Sequence, residues 1–394
     1  MTRKVRARDL GVPFEGQPGP LNAITDVEGV EVGHVTLVEG EGPLNVGQGP
    51  VRTGVTAVLP RGRRDPDPVF GGWFSLNGNG EMTGTTWLEE SGFLEGPVTL
   101  TNTHSVGTVR DAVIGWQVRS GTIPNGLFSL PVVSETWDGR LNDVNGFHVR
   151  ERHVVEALES AAGGPVAEGN VGGGTGTICH GFKGGIGTAS RWLDEPAGGF
   201  TVGVLAQCNH GSRLQLRIAG VPVGLELSAG EPSSGEPPAQ LPPPGARDAG
   251  ESGSIVVLIA TDAPLLPHQL KRLARRGALG LARNGSVAGN GSGDLFLAFS
   301  TANSGVARPA GIARAAMLPN DRMDPLFAAT VEATEEAIVN ALVAAETMTG
   351  ADGRRVEALP HEALRDVLRR HGRLLAGGEL AAAETAASAS PQAS

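Results

Sequence analysis

Ser254 stands at a junction where a hydroxyl group could attack the chain's own backbone. It follows Gly253, opens the apolar run 255–260, and is preceded by a segment rich in proline, glycine and serine. Glycine permits the strained backbone that such an attack needs. Ester formation at the Gly253 carbonyl followed by hydrolysis would leave Ser254 as a new N-terminus. Its α-amine, with a reference pKa of about 7.7–8.0, could then serve as base for its own hydroxyl.

A second hydroxyl and a carboxylate lie two residues apart at the start of another strand-like run. Ser292 and Asp294 precede the apolar residues 295–299. Positions i and i+2 of an extended chain lie on the same face, so the pair could orient and stabilise the amine of Ser254. An ordinary loop end at Ser254 and an Asx-type turn at Asp294 explain the same residues without chemistry. The local pattern leaves both interpretations open.

Other motifs with chemical potential have the wrong spacing. None of the nine histidines forms a His-Glu-x-x-His motif, and His148 and His153 are five residues apart. That spacing does not suit one helical face, so we expect no metal site. The glycine-rich run 172–177 fits neither the dinucleotide nor the Walker pattern, and no Gly-x-Ser-x-Gly elbow is present. The sequence therefore predicts chemistry without a metal or an organic cofactor.

Composition excludes several classes of protein. Hydrophobic residues make up 40% of the 394-residue chain, which excludes a wholly disordered protein, and the 59 glycines lack the collagen period. A net charge of −10 without a basic stripe argues against nucleic-acid binding. Two cysteines are too few for a disulfide framework. With no apolar stretch near the roughly 20 residues of a membrane span and no signal-peptide core, we expect no membrane partner and a cytoplasmic location.

The elements that must position these residues come in blocks. Strand-like runs occupy 30–37, 54–59, 201–206, 255–260 and 294–301. Helical patterns occupy 108–115, 152–162, 267–284 and 326–348. Blocks of strands and helices, rather than strict alternation, predict an α+β fold with helices packed outside sheets. The composition of 228–252 predicts a mobile linker, and that of 381–394 a frayed tail.

The ordered set of motifs resembles a known family. The matching segments are LNAITDV (21–27), LNGNGEMTG (76–84), TNTHSVG (101–107), GTG (174–176), GFKGGIG (181–187), QCNHG (207–211), IAGVPVG (218–224), GS (253–254) and SGD (292–294). They span about residues 20–350. On these residues the chain is identified as a member of the DmpA aminopeptidases, which include L-aminopeptidase/D-esterases and β-peptidyl aminopeptidases.

The resemblance implies a fold and a processing step. The implied fold is a layered α/β/β/α sandwich of the DmpA/ornithine-acetyltransferase type, similar to N-terminal nucleophile hydrolases. Autoproteolysis between Gly253 and Ser254 would give an α chain of residues 1–253 and a β chain of residues 254–394, sharing one catalytic domain. The family also implies a homo-oligomer of αβ units that acts on short peptides, amides or esters.

The resemblance assigns roles to four catalytic residues. Ser254 corresponds to the nucleophile, Ser292 and Asp294 to its supporting pair, and Asn209 to an oxyanion-hole donor. Asp294 is one methylene shorter than the glutamate that some members carry. Each role is chemically sensible, since an amide donor aimed at a developing oxyanion is typically worth roughly 10²–10³ in rate.

Two further residues correspond to the substrate-binding part of the site. Glu135 matches the acidic residue that receives the substrate's amino group, which a buried carboxylate does well. Some relatives place a tyrosine near the substrate, and this chain has no tyrosine. By this resemblance we expect Trp137 to fill part of that place in substrate binding.

Two alternative functions remain open at this stage. One is transfer of an acyl group between amino acids, as in ornithine acetyltransferases, although those relatives use threonine where this chain has Ser254. The other is an uncleaved, non-catalytic protein that binds a small molecule on the same fold.

Overall fold

The computed structural model describes residues 4–123, 126–229, 252–308 and 310–375. The predicted tail at 381–394 lies outside these residues. So does the predicted linker at 228–252, apart from its ends: residues 228 and 229 close a helix and residue 252 opens a strand.

The described residues form fourteen strands and seven α-helices. The strands are β1 (Glu31–Glu39), β2 (Val51–Leu59), β3 (Val69–Gly78), β4 (Phe93–Leu94), β5 (Val98–Asn102), β6 (Val132–Thr136), β7 (Ile178–Cys179), β8 (Phe182–Lys183), β9 (Gly185–Trp192), β10 (Thr201–Asn209), β11 (Ser252–Thr261), β12 (Gly291–Ser300), β13 (Met348–Thr349) and β14 (Arg355–Val356). The helices are α1 (Thr85–Ser91), α2 (Val106–Arg119), α3 (Glu151–Glu159), α4 (Val223–Ala229), α5 (Pro267–Arg283), α6 (Asp324–Ala344) and α7 (His361–Arg370).

Two sheets carry the fold. The smaller has the order β1-β2-β5-β6, and only its β5–β6 pair is parallel. The larger has the order β4-β3-β12-β11-β10-β9, and only its β11–β12 pair is parallel. β11, which contains residues 253 and 254, and β12 therefore lie in the middle of the larger sheet. Strands from the first part of the chain flank them on both sides.

Three hydrophobic layers hold the sheets and helices together. One lies between the two sheets and contains Val256 and Leu258 of β11. The alternate residues Ile255 and Val257 enter a second layer, against α5 and α6. A third layer packs α2 and α3 on the outer face of the smaller sheet. Both faces of β11 are thus buried, as its unbroken apolar run predicts, and the predicted α/β/β/α sandwich is confirmed.

Helix positions were predicted more accurately than helix ends. α5 matches the predicted 267–284 within one residue, whereas α2 is longer than the predicted 108–115 and α3 ends at Glu159, short of 162. The prediction that a helix runs to Met348 is wrong, because α6 ends at Ala344 and Met348 instead pairs with Val356 of β14. Ala345 is already extended, at φ −72° and ψ 148°, and pairing with a strand eight residues further on outweighs local helix propensity there.

Within the part of the chain that the structure describes, none of the helices combines the length and apolar character needed to cross a membrane.

Candidate active site

Strand pairing brings four of the predicted site residues to one end of the larger sheet. In the antiparallel pair β10–β11, Asn209 lies opposite Ser254. In the parallel pair β11–β12, Gly253 lies opposite Ser292 and Ser254 opposite Gly293. Ser254 is only 3% exposed, and Asn209 and Ser292 are also buried. Residues far apart in sequence thus meet at the start of β11, where the sequence predicts the chain to be cut.

Gly253 occupies a position that only glycine fits. Its φ of +144° lies in a region that other residues rarely adopt. A Cβ atom placed there would lie 2.0 Å from the carbonyl oxygen of Asn209 and 3.0 Å from the Cα atom of His210. Both obstacles are backbone, so neither can move without shifting β10. The close approach of β10 and β11 therefore depends on residue 253 being a glycine, which has no side chain.

The Ser292–Asp294 pair has the geometry expected from its spacing. The Ser292 hydroxyl donates a hydrogen bond of 2.7 Å to Oδ1 of Asp294, and both residues are fully buried. The shorter aspartate side chain therefore reaches its serine. A buried hydroxyl–carboxylate pair beside the start of β11 can accept a proton-bearing group and hold it in one orientation.

Asn209 is held so that its side-chain NH₂ is the group left to donate. The backbone N–H of Ile178, in β7, donates a hydrogen bond of 2.9 Å to Oδ1 of Asn209. An amide fixed through its oxygen presents Nδ2 in a defined direction. Asn209 lies opposite Ser254 in the sheet, so its amide is in the neighbourhood where the sequence predicts an oxyanion-hole donor.

Glu135 is a buried carboxylate held by two hydrogen bonds. Its Oε1 accepts a 3.0 Å bond from the backbone N–H of Glu81, and its Oε2 accepts a bond from the Thr103 hydroxyl. The side chain is 3% exposed. Burial raises the pKa of Glu135, and the bonds from Thr103 and Glu81 oppose that rise. The carboxylate is thus desolvated yet oriented, a state that favours binding of a cation.

The Glu135 carboxylate lies one backbone segment away from the start of β11. A Cβ atom placed on Gly80 would be 3.4 Å from Oε1 of Glu135 and 3.3 Å from Cα of Gly293. Gly293 is the residue opposite Ser254.

Trp137 lies at the surface of the protein, with 45% of the residue exposed. Its indole packs over Gly139, and among the described contacts none joins it to Ser254.

Beside Asn209 the structure contains a buried cluster that the sequence analysis did not identify. One ligand atom from each of Cys179, His180 and His210 lies within 4.8 Å of the others, the one such group among the described residues. The thiol is 3.9 Å from both ring nitrogens of His210, which places it off the lone-pair axis of each. Metal binding would require that ring to turn. The two segments are about 30 residues apart, and nothing in their spacing predicts the contact.

The chain is similar to curated peptidases over nearly its whole length. The model of peptidase family S58 matches residues 22–356. A protein named beta-peptidyl aminopeptidase BapA, from Sphingosinicella microcystinivorans, is 56% identical over 375 residues, covering 94% of this chain and 93% of that relative. A second protein of that name, from Sphingosinicella xenopeptidilytica, is 51% identical, with 92% of this chain and 91% of the relative covered.

Solved structures share the fold. The L-aminopeptidase D-Ala-esterase/amidase from Ochrobactrum anthropi, described as a prototype serine aminopeptidase and a variant of the Ntn hydrolase fold, has a TM-score of 0.84 and 49% identity over 94% of this chain and 99% of that one. A beta-aminopeptidase from Burkholderia sp. has a TM-score of 0.83 and 49% identity, with 93% and 99% covered. These findings confirm the resemblance to DmpA aminopeptidases: the chain belongs to peptidase family S58 and is a serine-type aminopeptidase.

Proposed function

We propose that this aminopeptidase makes its own nucleophile by cutting the bond between Gly253 and Ser254. Oγ of Ser254 attacks the Gly253 carbonyl carbon, the peptide C–N bond breaks, and an ester to Oγ forms. Water then hydrolyses the ester, leaving a carboxylate on Gly253 and a free amine and hydroxyl on Ser254. The observation that carries the proposal is Gly253, held at φ +144° between Asn209 and Ser292 in a conformation and a space that only glycine fits.

The mature site then works as an N-terminal nucleophile. The α-amine of Ser254 takes the proton of its own hydroxyl as Oγ attacks the substrate's acyl carbon. Nδ2 of Asn209 donates to the developing oxyanion, and the amine passes its proton to the leaving group. Water completes the cycle by hydrolysing the acyl-enzyme. The Ser292–Asp294 pair, whose 2.7 Å bond is already formed, orients the amine and stabilises its charge.

We infer that the substrate is a short peptide, amide or ester with a free amino group, which Glu135 binds as an ammonium. β-Amino residues are proposed among its N-terminal residues, because two relatives above 50% identity are named beta-peptidyl aminopeptidases. None of the relatives cited is named an acyltransferase, so acyl transfer is not favoured.

We further propose that αβ units associate with closed symmetry and that the enzyme acts in the cytoplasm. Light scattering on the purified enzyme tests the association.

Purified protein should contain two chains rather than one. Cleavage after Gly253 gives chains of 253 and 141 residues. On a denaturing gel these chains should run as bands of about 26 and about 14 kDa. N-terminal sequencing of the smaller chain should read Ser-Ile-Val-Val-Leu. The same preparation should release product from β- and α-aminoacyl anilides but not from their N-acetylated forms. A single band near 40.4 kDa with full activity would contradict the proposal.

Glu135→Gln should weaken substrate binding more than catalysis. The change keeps the shape and removes the charge that faces the ammonium, so we expect KM to rise roughly 10- to 100-fold, the worth of a hydrogen bond to a charged group. In the parent enzyme, burial raises the Glu135 pKa, so this binding is present above the raised pKa and is lost as pH falls through it. Steady-state kinetics against pH measures both effects. Glu90→Gln, at an exposed carboxylate that is not among the groups acting on Glu135, is the matched control and should leave KM unchanged.

A further inference from the structure

Lys183 is a fully buried cation whose partners are backbone carbonyl groups. Its Nζ donates to the carbonyl oxygens of Thr177 at 2.9 Å, Gly184 at 2.8 Å and Gly174 at 3.3 Å. An ammonium has three N–H donors, so all three are used. Among the described residues no carboxylate forms an ion pair with it. The charge is thus buried without an opposite charge in contact.

Such burial is costly, and an apolar residue would avoid the cost. Desolvation lowers the pKa of Lys183 to about 7. The neighbouring Cys179 and Asp138 oppose that shift, and the three carbonyl hydrogen bonds offset part of the cost of taking the charge out of water. A methionine or leucine would avoid this cost but would leave the three carbonyl groups without the donor that Lys183 supplies.

The contacts of Lys183 lead directly to Asn209. Lys183 lies opposite Ile178 in the β7–β8 hairpin. The peptide group between Thr177 and Ile178 accepts from Lys183 through its carbonyl and donates to Oδ1 of Asn209 through its N–H. One amide plane thus joins the cation to the side chain next to the nucleophile. The hairpin also lies tightly against β10, since a Cβ atom on Gly184 would be 2.4 Å from the Cys208 carbonyl oxygen.

Hydrogen bonds in such a chain strengthen one another. In its protonated form, Lys183 places a cation at the 177–178 carbonyl, which polarises that amide and makes its N–H a better donor. Asn209, accepting this bond at Oδ1, is polarised in turn, and its Nδ2 hydrogens carry more positive charge. No proton is transferred along the chain. Its effect is greatest when the acceptor at Nδ2 is most negative, which is the situation in a tetrahedral intermediate.

We propose that Lys183 is a positioning residue that strengthens the oxyanion donor through two amide groups, the 177–178 peptide and the Asn209 side chain. The inference rests on the proposed function, because it takes Nδ2 of Asn209 to face the oxyanion. Lys183 itself does not contact the substrate. Its three carbonyl contacts fix the hairpin that orients Asn209, and its charge polarises the donor.

Lys183→Met tests the charge while filling the same buried space. We expect kcat to fall roughly 10- to 100-fold, as for outer-shell partners of other polarised groups, with KM changed by less than about twofold because ground-state binding is untouched. Rates are expressed per nucleophile, counted by titrating mature Ser254 with a sulfonyl fluoride, so that incomplete processing does not enter. Lys271→Met, at a half-exposed lysine paired with Glu89, is the control and should keep the parent kcat.

We call the chain of hydrogen bonds from Lys183 through the 177–178 peptide to Asn209 the relay. A double-mutant cycle with Asn209→Ala distinguishes a failure of the relay from a failure of the proposed function. Asn209→Ala should lower kcat roughly 10²–10³-fold, and adding Lys183→Met should cost less than about twofold more, because the relay has lost its end point. If the two losses multiply in full, the relay is overturned and the proposed function stands. If Asn209→Ala keeps the parent kcat, the oxyanion assignment itself fails.

Lys183→Gln provides a second variant if the methionine protein does not fold. It keeps an N–H donor for the Thr177 carbonyl without the charge, and we expect a kcat between those of the parent and Lys183→Met, with the same KM. Thermal melting of each variant reports on folding. Should neither variant accumulate as folded, processed protein, Lys183 is required for folding and the relay is overturned.

Discussion

Replacing Ser254 by alanine should leave one uncut chain without peptidase activity. The alanine protein lacks the hydroxyl that attacks the Gly253 carbonyl, so the α-amine that serves as base is never released. The nucleophilic hydroxyl and the α-amine base are therefore lost together. Loss of a nucleophile costs on the order of 10⁶-fold in kcat in other serine peptidases, so no turnover should be measurable. The smaller of the two bands on a denaturing gel should be absent.

The fold itself should survive this change. Ser254 is buried at the start of β11, and deletion of one hydroxyl removes little packing. Circular dichroism and melting of Ser254→Ala should therefore match those of the parent chain before cleavage. Ser254→Cys is the control that keeps a nucleophile and should still be cut. Two bands from the alanine protein, or hydrolysis of aminoacyl anilides by it, would show that another group does the chemistry.

Replacing Gly253 by alanine should impair cleavage although it leaves every catalytic side chain in place. The added Cβ would meet the Asn209 carbonyl oxygen at 2.0 Å, and the φ of +144° is unfavourable for alanine. The start of β11 must move away from β10, which shifts Ser254 relative to Asn209. A misplacement of about 1 Å costs about 10²-fold in rate. A time course of the processed fraction after cell-free synthesis measures the slowing.

Gly42→Ala is the matched control for backbone strain. Gly42 also has a positive φ, +93°, but a Cβ atom there would meet nothing within 4 Å. This variant therefore shares the conformational cost without the collision, and its cleavage should proceed at the parent rate. Equal cleavage rates for Gly253→Ala and Gly42→Ala would mean that the tight approach of β10 and β11 does not matter for processing.

The parts of the site that are close in sequence could be predicted from the sequence. Ser292 and Asp294 are two residues apart in a strand, and alternation alone puts them on one face, where the structure finds their hydrogen bond. The run 255–260 likewise indicates a strand buried on both faces. Local periodicity is enough for such features because they depend on no distant partner.

Contacts between distant segments could not be predicted in this way. The register that puts Asn209 opposite Ser254 depends on pairing between β10 and β11, across 44 positions of chain. In the sequence, Lys183 is only one residue of a glycine-rich motif, and nothing there predicts its burial. Its contacts with three carbonyl groups depend on how the β7–β8 hairpin packs on β10. Glu135 was assigned through family resemblance alone, since its partners at Glu81 and Thr103 come from two other segments.

If the bond at 253–254 is cut as proposed, the order of strands in the larger sheet makes refolding depend on the meeting of two separate chains. β11 and β12 lie between β3 and β10, so the larger chain would supply the hydrogen-bonding neighbour on each side of the smaller chain's two strands. Before cleavage, the polypeptide folds in a first-order reaction. Afterwards, denatured halves must meet again by diffusion, and recovery becomes second-order and dependent on concentration. The mature enzyme would therefore owe its lifetime to slow unfolding rather than to a reversible equilibrium.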